Sequence, residues 1–399
     1  MNILYVQPGP GIGGSKVSLY HMLKCAPPMQ KSYLALSPPV QHEYETMVKA
    51  YVEGIFYLEL PTWQKYRRTT FNEKLRAPLA DTMRIFKLMP SVMQIISIIQ
   101  KNKINVVHTN NSILAPGAIA AKLTKCPHVW HVREPFGSKL QYHPILGDKT
   151  TYFLMKKLSE AIICNSGYTA EPFNDNNIEC KIILNGLDID HFIKYSQGNG
   201  QQKDMHLPNY EITLGMVGNI TTEWKRHDLF LEVAAILNKS HANLNFMIFG
   251  SSNDLHQTDY TNKLAKQIRE LQLMEKVVFV DHVREPVEIM NSLDILIHPT
   301  LTEGSGRVIM EAMAARKPVV AMSSCGVQEL IQDGQTGFLI QSGNVQAMAE
   351  KAELLLNNPE LRTTIGNNAR LYAQEHFSDR ESMDSIVKIY EKLIEERVR

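Results

Sequence analysis

The chain has 399 residues, 44% of them apolar and 21% charged, with a formal net charge of +1 at pH 7. That length exceeds one comfortable hydrophobic core and predicts two domains of ordinary size. The composition excludes a disordered or fibrous chain, and the near-neutral charge supplies no global field for nucleic acid.

The first run, Asn2–Val6, reads as a strand, with neither the basic region nor the cleavage site of a secretory signal. Gly9-Pro-Gly11-Ile-Gly-Gly14-Ser15 follows it. Glycines 9, 11 and 14 satisfy G-x-G-x-x-G, which raises a dinucleotide-dependent oxidoreductase as one alternative. Such a site needs an acid about 20 positions on, at the end of the second strand. Here the second strand, Tyr33–Ser37, runs into Pro38-Pro39, and the next acid is Glu43. What remains is a glycine turn opening onto a helix. Its Gly13 and Gly14 amides can approach an anion or a sugar, or the turn needs glycine for a positive φ.

Residues 61–103 hold nine Lys or Arg against two acids, in a chain whose total charge is +1, and Trp63, Tyr66, Phe71 and Leu75 interleave with them. A basic, aromatic segment of this kind is a candidate for peripheral contact with an anionic membrane. A solvated helical face or an acceptor-side loop explains the same composition. The longest apolar stretch, Ser91 to Ile99, is interrupted by Gln94 and Ser97, far short of the roughly 18 residues that span a bilayer.

Further strand-length runs are Val106–His108, Val129–Val132, Ala161–Asn165 and Lys181–Leu184, with helical patterns between them. This alternation predicts an α/β fold with parallel sheets. Several runs close on a polar residue, and the carboxyl ends of parallel strands open onto the ligand crevice. The stretch Lys194 to Tyr210, rich in Gln, Gly and Asn, reads as a linker. A second series follows it: Ile212–Val217, Asn245–Phe249, Val277–Val280, Ile295–His298 and Val319–Met322. The final segment, from Ser378, has the spacing of a terminal helix. Five cysteines (Cys25, Cys126, Cys164, Cys180, Cys325) form no C-x-x-C pair, which fits reduced thiols in a cytoplasmic protein.

The chemistry gathers after Ile295–His298. A loop, Pro299-Thr-Leu-Thr-Glu303-Gly-Ser-Gly306, leads into a helix from Arg307 to about Arg316, with Ser305 or Gly306 as its N-cap. The helix N-terminus attracts phosphate, and the glycines allow close approach. Glu303 precedes that terminus and Glu311 lies about one turn inside it. A carboxylate is acceptor-only with two oxygens, and so suits a vicinal diol. Without the loop-to-helix setting, the same two acids read as surface charges.

The run Glu303-Gly-Ser-Gly-Arg-Val-Ile-Met-Glu311 resembles the E-x7-E element of the retaining family-four glycosyltransferases. Asn185-Gly-Leu-Asp188 is similar to that family's N-G-V-D element. Gly218-Asn-Ile with Lys225-Arg-His-Asp-Leu229 is similar to its G-R-L…K-G-x-x-x-L element. Gly326-Val-Gln-Glu329-Leu-Ile with Asp333-Gly334 and Thr336-Gly337-Phe-Leu resembles its G-G-x-x-E-x-I…D-G…G-x-L run. The elements span nearly the whole chain in the family's order.

The resemblance implies a GT-B fold, two Rossmann-like domains facing each other across a cleft. Residues 1–200 form an acceptor-side domain, 210–377 a donor domain, and helix 378–399 packs back onto the first. It implies transfer of a sugar from a nucleotide-diphosphate sugar to a glycan, lipid-linked or small-molecule acceptor, in surface polysaccharide or glycoconjugate synthesis. By this similarity Glu311 holds the ribose and Glu303 the transferred sugar. The backbone of Gly304, Ser305, Gly306, Arg307 and Val308 cradles the distal phosphate, with Gly13 and Gly14 contributing from the first domain. Lys225 neutralises the departing diphosphate. Asn219 stands where the family often has arginine, so Arg226, Arg284 or Arg307 is a candidate second cation. His131 is the candidate contact to the sugar or phosphate. Ser15, His108, Asn110, Arg133 and Asn165 are candidates on the acceptor side. No cofactor and no metal are expected, because lysine and helix dipole take the place of a divalent ion. A catalytically silent GT-B binding module is the remaining alternative.

Overall fold

The computed structural model describes residues 1–9, 13–66, 83, 86–134, 142–197, 212–220, 223–250, 259–280 and 285–398. Gly11, Arg284 and the part of the basic segment between 67 and 82 lie outside them, as does the linker from 198 on. The chain divides into two compact units, Met1–Gly186 with Asp379–Arg399, and Leu187–Ser378.

The first unit runs β1 (Asn2–Gln7), α1 (Gly14–Lys24), β2 (Lys31–Leu36), α2 (His42–Lys49), β3 (Gly54–Tyr57), β4 (Gln64–Tyr66), α3 (Leu88–Lys101), β5 (Val106–Thr109), α4 (Pro116–Thr124), β6 (His128–Val132), β7 (Tyr142–Pro144), α5 (Asp148–Leu158), β8 (Ala161–Cys164), α6 (Gly167–Asn174) and β9 (Lys181–Ile182). Seven strands form a parallel sheet ordered β3-β2-β1-β5-β6-β8-β9, and β4 pairs antiparallel with β7. Successive side chains leave a strand on opposite faces. Ile3 and Tyr5 therefore enter the core beneath α1 and α2, while Leu4 and Val6 enter the core beneath α3 and α4. With helices on both faces, the strands read as near-continuous apolar runs.

The second unit runs α7 (Ile189–Gln197), β10 (Ile212–Val217), α8 (His227–Asn238), β11 (Leu244–Phe249), α9 (Asp259–Glu270), β12 (Val277–Val280), α10 (Pro286–Asn291), β13 (Ile295–His298), α11 (Arg307–Ala314), β14 (Val319–Ser323), β15 (Phe338–Gln341), α12 (Val345–Asn357) and α13 (Pro359–His376). Its six parallel strands are ordered β12-β11-β10-β13-β14-β15. The last helix, α14 (Asp379–Val398), belongs to the first unit. Its Met383, Ile386, Ile389, Tyr390 and Leu393 fill the core with Ile3, Tyr5 and Leu19. Gly186 makes the junction possible, since a Cβ there would lie 2.2 Å from the Asp379 Cα.

Three sequence expectations change. Lys194 begins no linker: it lies in α7, whose Phe192 is buried. The helix after Gly306 stops at Ala314, and Arg316 has φ +59. Trp63 is turned inward: it is 5% exposed, stacks on Trp130 with ring centroids 5.2 Å apart, and donates to the Ser112 carbonyl. A stacked indole pair contributes about 1 kcal/mol beyond its buried area, so this aromatic is part of the core.

Each sheet reverses its winding once. In the first unit the reversal lies between β1 and β5, in the second between β10 and β13. The connections leaving such adjacent strands diverge to opposite faces and open a crevice at the carboxyl ends. The candidate residues gather at those two places.

Candidate functional site

In the second unit, β10 ends at Val217 and turns through Gly218. A Cβ on Gly218 would lie 3.2 Å from the Lys225 Cγ, so glycine there gives the lysine stem room to lie against the strand end. From the neighbouring strand, β13, the chain passes His298 and loops to α11. Gly306 is the N-cap of that helix, in the left-handed region at φ +56. Its missing Cβ would meet Leu330 Cδ1 at 2.7 Å. Conformation and space both demand glycine here.

The two loops meet across the switch point. Lys225 Nζ donates to Glu303 Oε2 at 2.6 Å, each side chain about one-fifth exposed (22% and 20%). Burial pushes the Glu303 carboxyl up, but Lys225, His298 and the Gly306 amide together outweigh it and hold the group below the usual range. One turn into α11, Glu311 accepts from Arg307 Nε at 3.0 Å. Here burial wins over the guanidinium, and the Glu311 carboxyl is raised. The two acids assigned to the sugar and the ribose are thus each held by a cation of the same site.

Arg226 points elsewhere. Its guanidinium bonds both oxygens of Asp228, at 2.8 to 3.1 Å. Of the two candidate second cations among the described residues, Arg226 and Arg307, it is Arg307 that lies beside a carboxylate of the site. His227 is tied to Tyr260 and to the Gly218 carbonyl, and so braces the strand end.

The Glu303 loop rests on the segment carrying Gly326-Val-Gln-Glu329. The Ser324 hydroxyl donates to the Thr300 carbonyl at 2.8 Å, and the Gly326 amide donates to the Glu303 carbonyl at 3.1 Å. This motif therefore works as a prop for the loop. His298 lies beneath it, fully buried, with burial pulling its imidazole down to about 4 against the opposing charge of Glu303.

In the first unit the candidates form one network. Asn110, just beyond β5, donates to the Gln7 side chain at 2.5 Å and to the Ser15 carbonyl at 3.0 Å. Arg133 Nε donates to the Asn110 side chain at 2.6 Å, another of its nitrogens bonds Asn185, and a third lies 3.3 Å from His131 Nδ1. Asn165 donates to the Arg133 carbonyl at 2.8 Å. The rings of His131 and His108 meet edge-on at 5.3 Å, and the Tyr390 hydroxyl of α14 lies 2.7 Å from His108 Nδ1. Burial, reinforced by Arg133, keeps both imidazoles well below the usual histidine range, hence neutral near pH 7. Gln7, Asn185 and Tyr390 are members that sequence reasoning did not assign to the site. Gln7 was legible as the polar residue closing β1.

The glycine turn has two characters. A Cβ on Gly9 would meet the Ser37 carbonyl oxygen at 2.7 Å, whereas Cβ atoms on Gly13 and Gly14 would meet none of the described residues within 4 Å. None of these three has a positive φ, so the fold itself does not require glycine at 13 or 14.

Among the described residues, no group of three or more His, Cys, Asp or Glu is placed to hold a metal ion. Asp188 accepts from the His191 amide at 3.0 Å, a local role at the start of α7.

The family model for glycosyl transferases group 1 matches residues 201–372, and that for glycosyltransferase family 4 matches residues 56–191. The chain is 27% identical over 336 residues to the capsular polysaccharide biosynthesis glycosyltransferase CapM of Staphylococcus aureus, covering 80% of this chain and 85% of that protein. It is 29% identical over 209 residues to a poly(ribitol-phosphate) alpha-N-acetylglucosaminyltransferase of the same species, covering 52% of this chain but 40% of that one. The crystal structure of Anabaena HepE with UDP-glucose superposes with a TM-score of 0.75 at 20% identity, covering 98% of this chain and 100% of that one. The likeness shows the fold, which is GT-B.

Proposed function

The chain belongs to the family-four, group 1 glycosyltransferases, and we propose that it is a retaining, metal-independent enzyme of polysaccharide synthesis that uses a UDP- or GDP-sugar. One observation carries the reading. At the reversal between β10 and β13, Lys225 and Glu303 meet at 2.6 Å beside the N-terminus of α11, with Glu311 one turn inside. This is a diphosphate site flanked by two carboxylates that can each accept a pair of hydroxyls.

On this reading donor binding exchanges partners. Lys225 releases Glu303 and turns to the diphosphate, while Glu303 accepts from hydroxyls of the transferred sugar. Glu311 accepts the ribose diol, and Arg307 is freed toward the phosphates. As the bond from the sugar to the diphosphate breaks, negative charge grows on the leaving oxygens, where Lys225 and the helix terminus stabilise it. The acceptor hydroxyl adds to the sugar and its proton leaves with the phosphate. No carboxylate is required as a nucleophile, and retention follows from attack on the face the diphosphate leaves. In the first unit the backbone at Gly13 and Gly14, beside Ser15 and Asn110, is where a ligand would approach. His131, neutral and held by Arg133, donates or accepts one hydrogen bond without titrating.

Similar proteins support a uridine donor and a polymeric acceptor: HepE is solved with UDP-glucose, and others are enzymes of capsular polysaccharide biosynthesis and of poly(ribitol-phosphate). Five free cysteines suit a reducing, cytoplasmic setting, and the reading has the enzyme act peripherally at a membrane through the 61–103 region. Among the described residues no helix is long and apolar enough to cross a bilayer. The test is a thermal-shift panel of UDP-, GDP- and ADP-sugars with and without EDTA. A shift with one nucleotide class, unchanged by EDTA, is expected; a shift that EDTA abolishes refutes metal independence, and silence across the panel refutes the donor assignment.

A further inference from the structure

Helices α3, α4 and α5 cover one face of the first sheet, each packed against the next. Their buried sides are ordinary core. Their outer sides are not. Phe86, Met89 and Met93 on and just before α3, Leu123 on α4 and Phe153 on α5 are 48 to 71% exposed. Among the described residues, helices α1, α2 and α14 on the opposite face expose no large apolar side chain. The asymmetry belongs to one layer, and apolar side chains exposed on three adjoining helices of one face point to a place of contact.

The charges divide the same way. Between Asp81 and Glu134 the sequence holds no acidic residue. Lys87, Lys101, Lys103, Lys125, Lys149 and Lys157 are all exposed around the apolar side chains, and the Lys157 ammonium lies 5.7 Å from the Phe153 ring centre. The acids at this layer are Asp148 at the start of α5, Glu160 beyond its end, 3.8 Å from Lys122, and the exposed Glu171 and Asp175 on and just after α6, which packs against α5 at the edge of the layer. The acid-rich elements of this unit, α2 with Glu43 and Glu45 and the terminal helix α14, lie on the other face.

We propose that the outer surface of α3, α4 and α5 docks on an anionic lipid bilayer, with Phe86, Met89, Met93, Leu123 and Phe153 entering the boundary between headgroups and acyl chains. The proposal deepens, and rests on, the peripheral-membrane reading above, and it moves the apolar contact from the buried Trp63 to this layer. A protein partner fits less well. Protein interfaces gather apolar groups in a core depleted of lysine, whereas here lysines interleave with the apolar side chains. That interleaving suits lipid, because a lysine stem lies along apolar surface while its ammonium reaches the phosphates.

The experiment is flotation of the full-length chain with phosphatidylcholine vesicles, with or without phosphatidylglycerol, at low and high salt. Two variants accompany it, Phe86→Ser/Met89→Ser/Met93→Ser and Lys125→Glu/Lys149→Glu/Lys157→Glu, all at exposed positions. The wild type floats with anionic vesicles only, and high salt releases it. Each variant loses binding about tenfold or more while keeping the wild-type melting temperature and its UDP-induced thermal shift. A wild type that ignores anionic vesicles overturns the proposal, as does an apolar variant that floats undiminished. A wild-type dimer that the apolar variant dissolves, with no flotation, also overturns it and makes the face a self-association surface. The UDP shift is read in the absence of lipid, so failure of the donor reading and failure of docking are told apart.

Discussion

Glu303 and Glu311 are eight residues apart in sequence yet titrate in opposite directions. Lys225 and its neighbours hold Glu303 ionised, while burial raises Glu311 against the pull of Arg307. Because the Glu311 pKa is raised, protonation begins at a less acid pH than for an ordinary glutamate. A protonated carboxyl cannot accept both hydroxyls of a ribose diol. Donor affinity should therefore fall as pH is lowered from neutral through the raised pKa. In Glu311→Gln the part of that pH dependence due to this carboxyl should be lost, leaving the titration of the UDP phosphate itself, with weaker binding throughout. Calorimetric titration of UDP across mildly acid to neutral pH checks this; a variant that keeps the wild-type slope removes Glu311 from the ribose.

The two glutamates were legible at this scale because a strand, a glycine loop and a helix surround them. Of their partners, Arg307 was legible too, since Arg307 and Glu311 stand at the i,i+4 spacing of one helix. Nothing in sequence spacing sends Arg226 to Asp228, because that choice depends on the left-handed turn at Arg226. Asn185 could be read only as part of a motif; its bond to Arg133 appears once β6 and the segment after β9 are folded together.

At the scale of elements, the loop from β13 to α11 carries the site, and its geometry hangs on Gly306. Gly306→Ala places a Cβ in the left-handed region and against Leu330. The expected cost is about 1 to 3 kcal/mol, visible as a lower melting temperature, together with a loss of UDP affinity as the Glu303 carboxylate and the helix terminus move apart. A variant with unchanged stability and affinity contradicts the role given to this cap.

The central, apolar strands β1, β10 and β13 were legible because burial on both faces makes them continuous runs. The short or edge strands β3, β4, β7 and β15 were not, since a few half-exposed residues carry too little pattern. The linker expectation failed at Lys194 for a related reason: α7 is a short helix whose polar face faces outward, and the Gln- and Gly-rich stretch begins only as it ends.

For the molecule as a whole, the two α/β series in the sequence correspond to two sheets, each reversing once, with candidate residues at each reversal. The terminal helix returns to the first unit, where Tyr390 meets His108. What sequence reasoning could not supply was the lateral order of the strands, and with it the reason why Lys225 and Glu303, 78 positions apart, come within 2.6 Å.

The most direct test of the account is release of nucleoside diphosphate from the donor sugar in the presence of EDTA, measured for the wild type and for Lys225→Ala. The account predicts steady release by the wild type. For the variant it predicts turnover lowered about a hundredfold or more, the range expected for loss of one charge-stabilising donor, with donor affinity changed much less. Wild-type release that needs a divalent ion, or a Lys225→Ala enzyme as fast as the wild type, would contradict it.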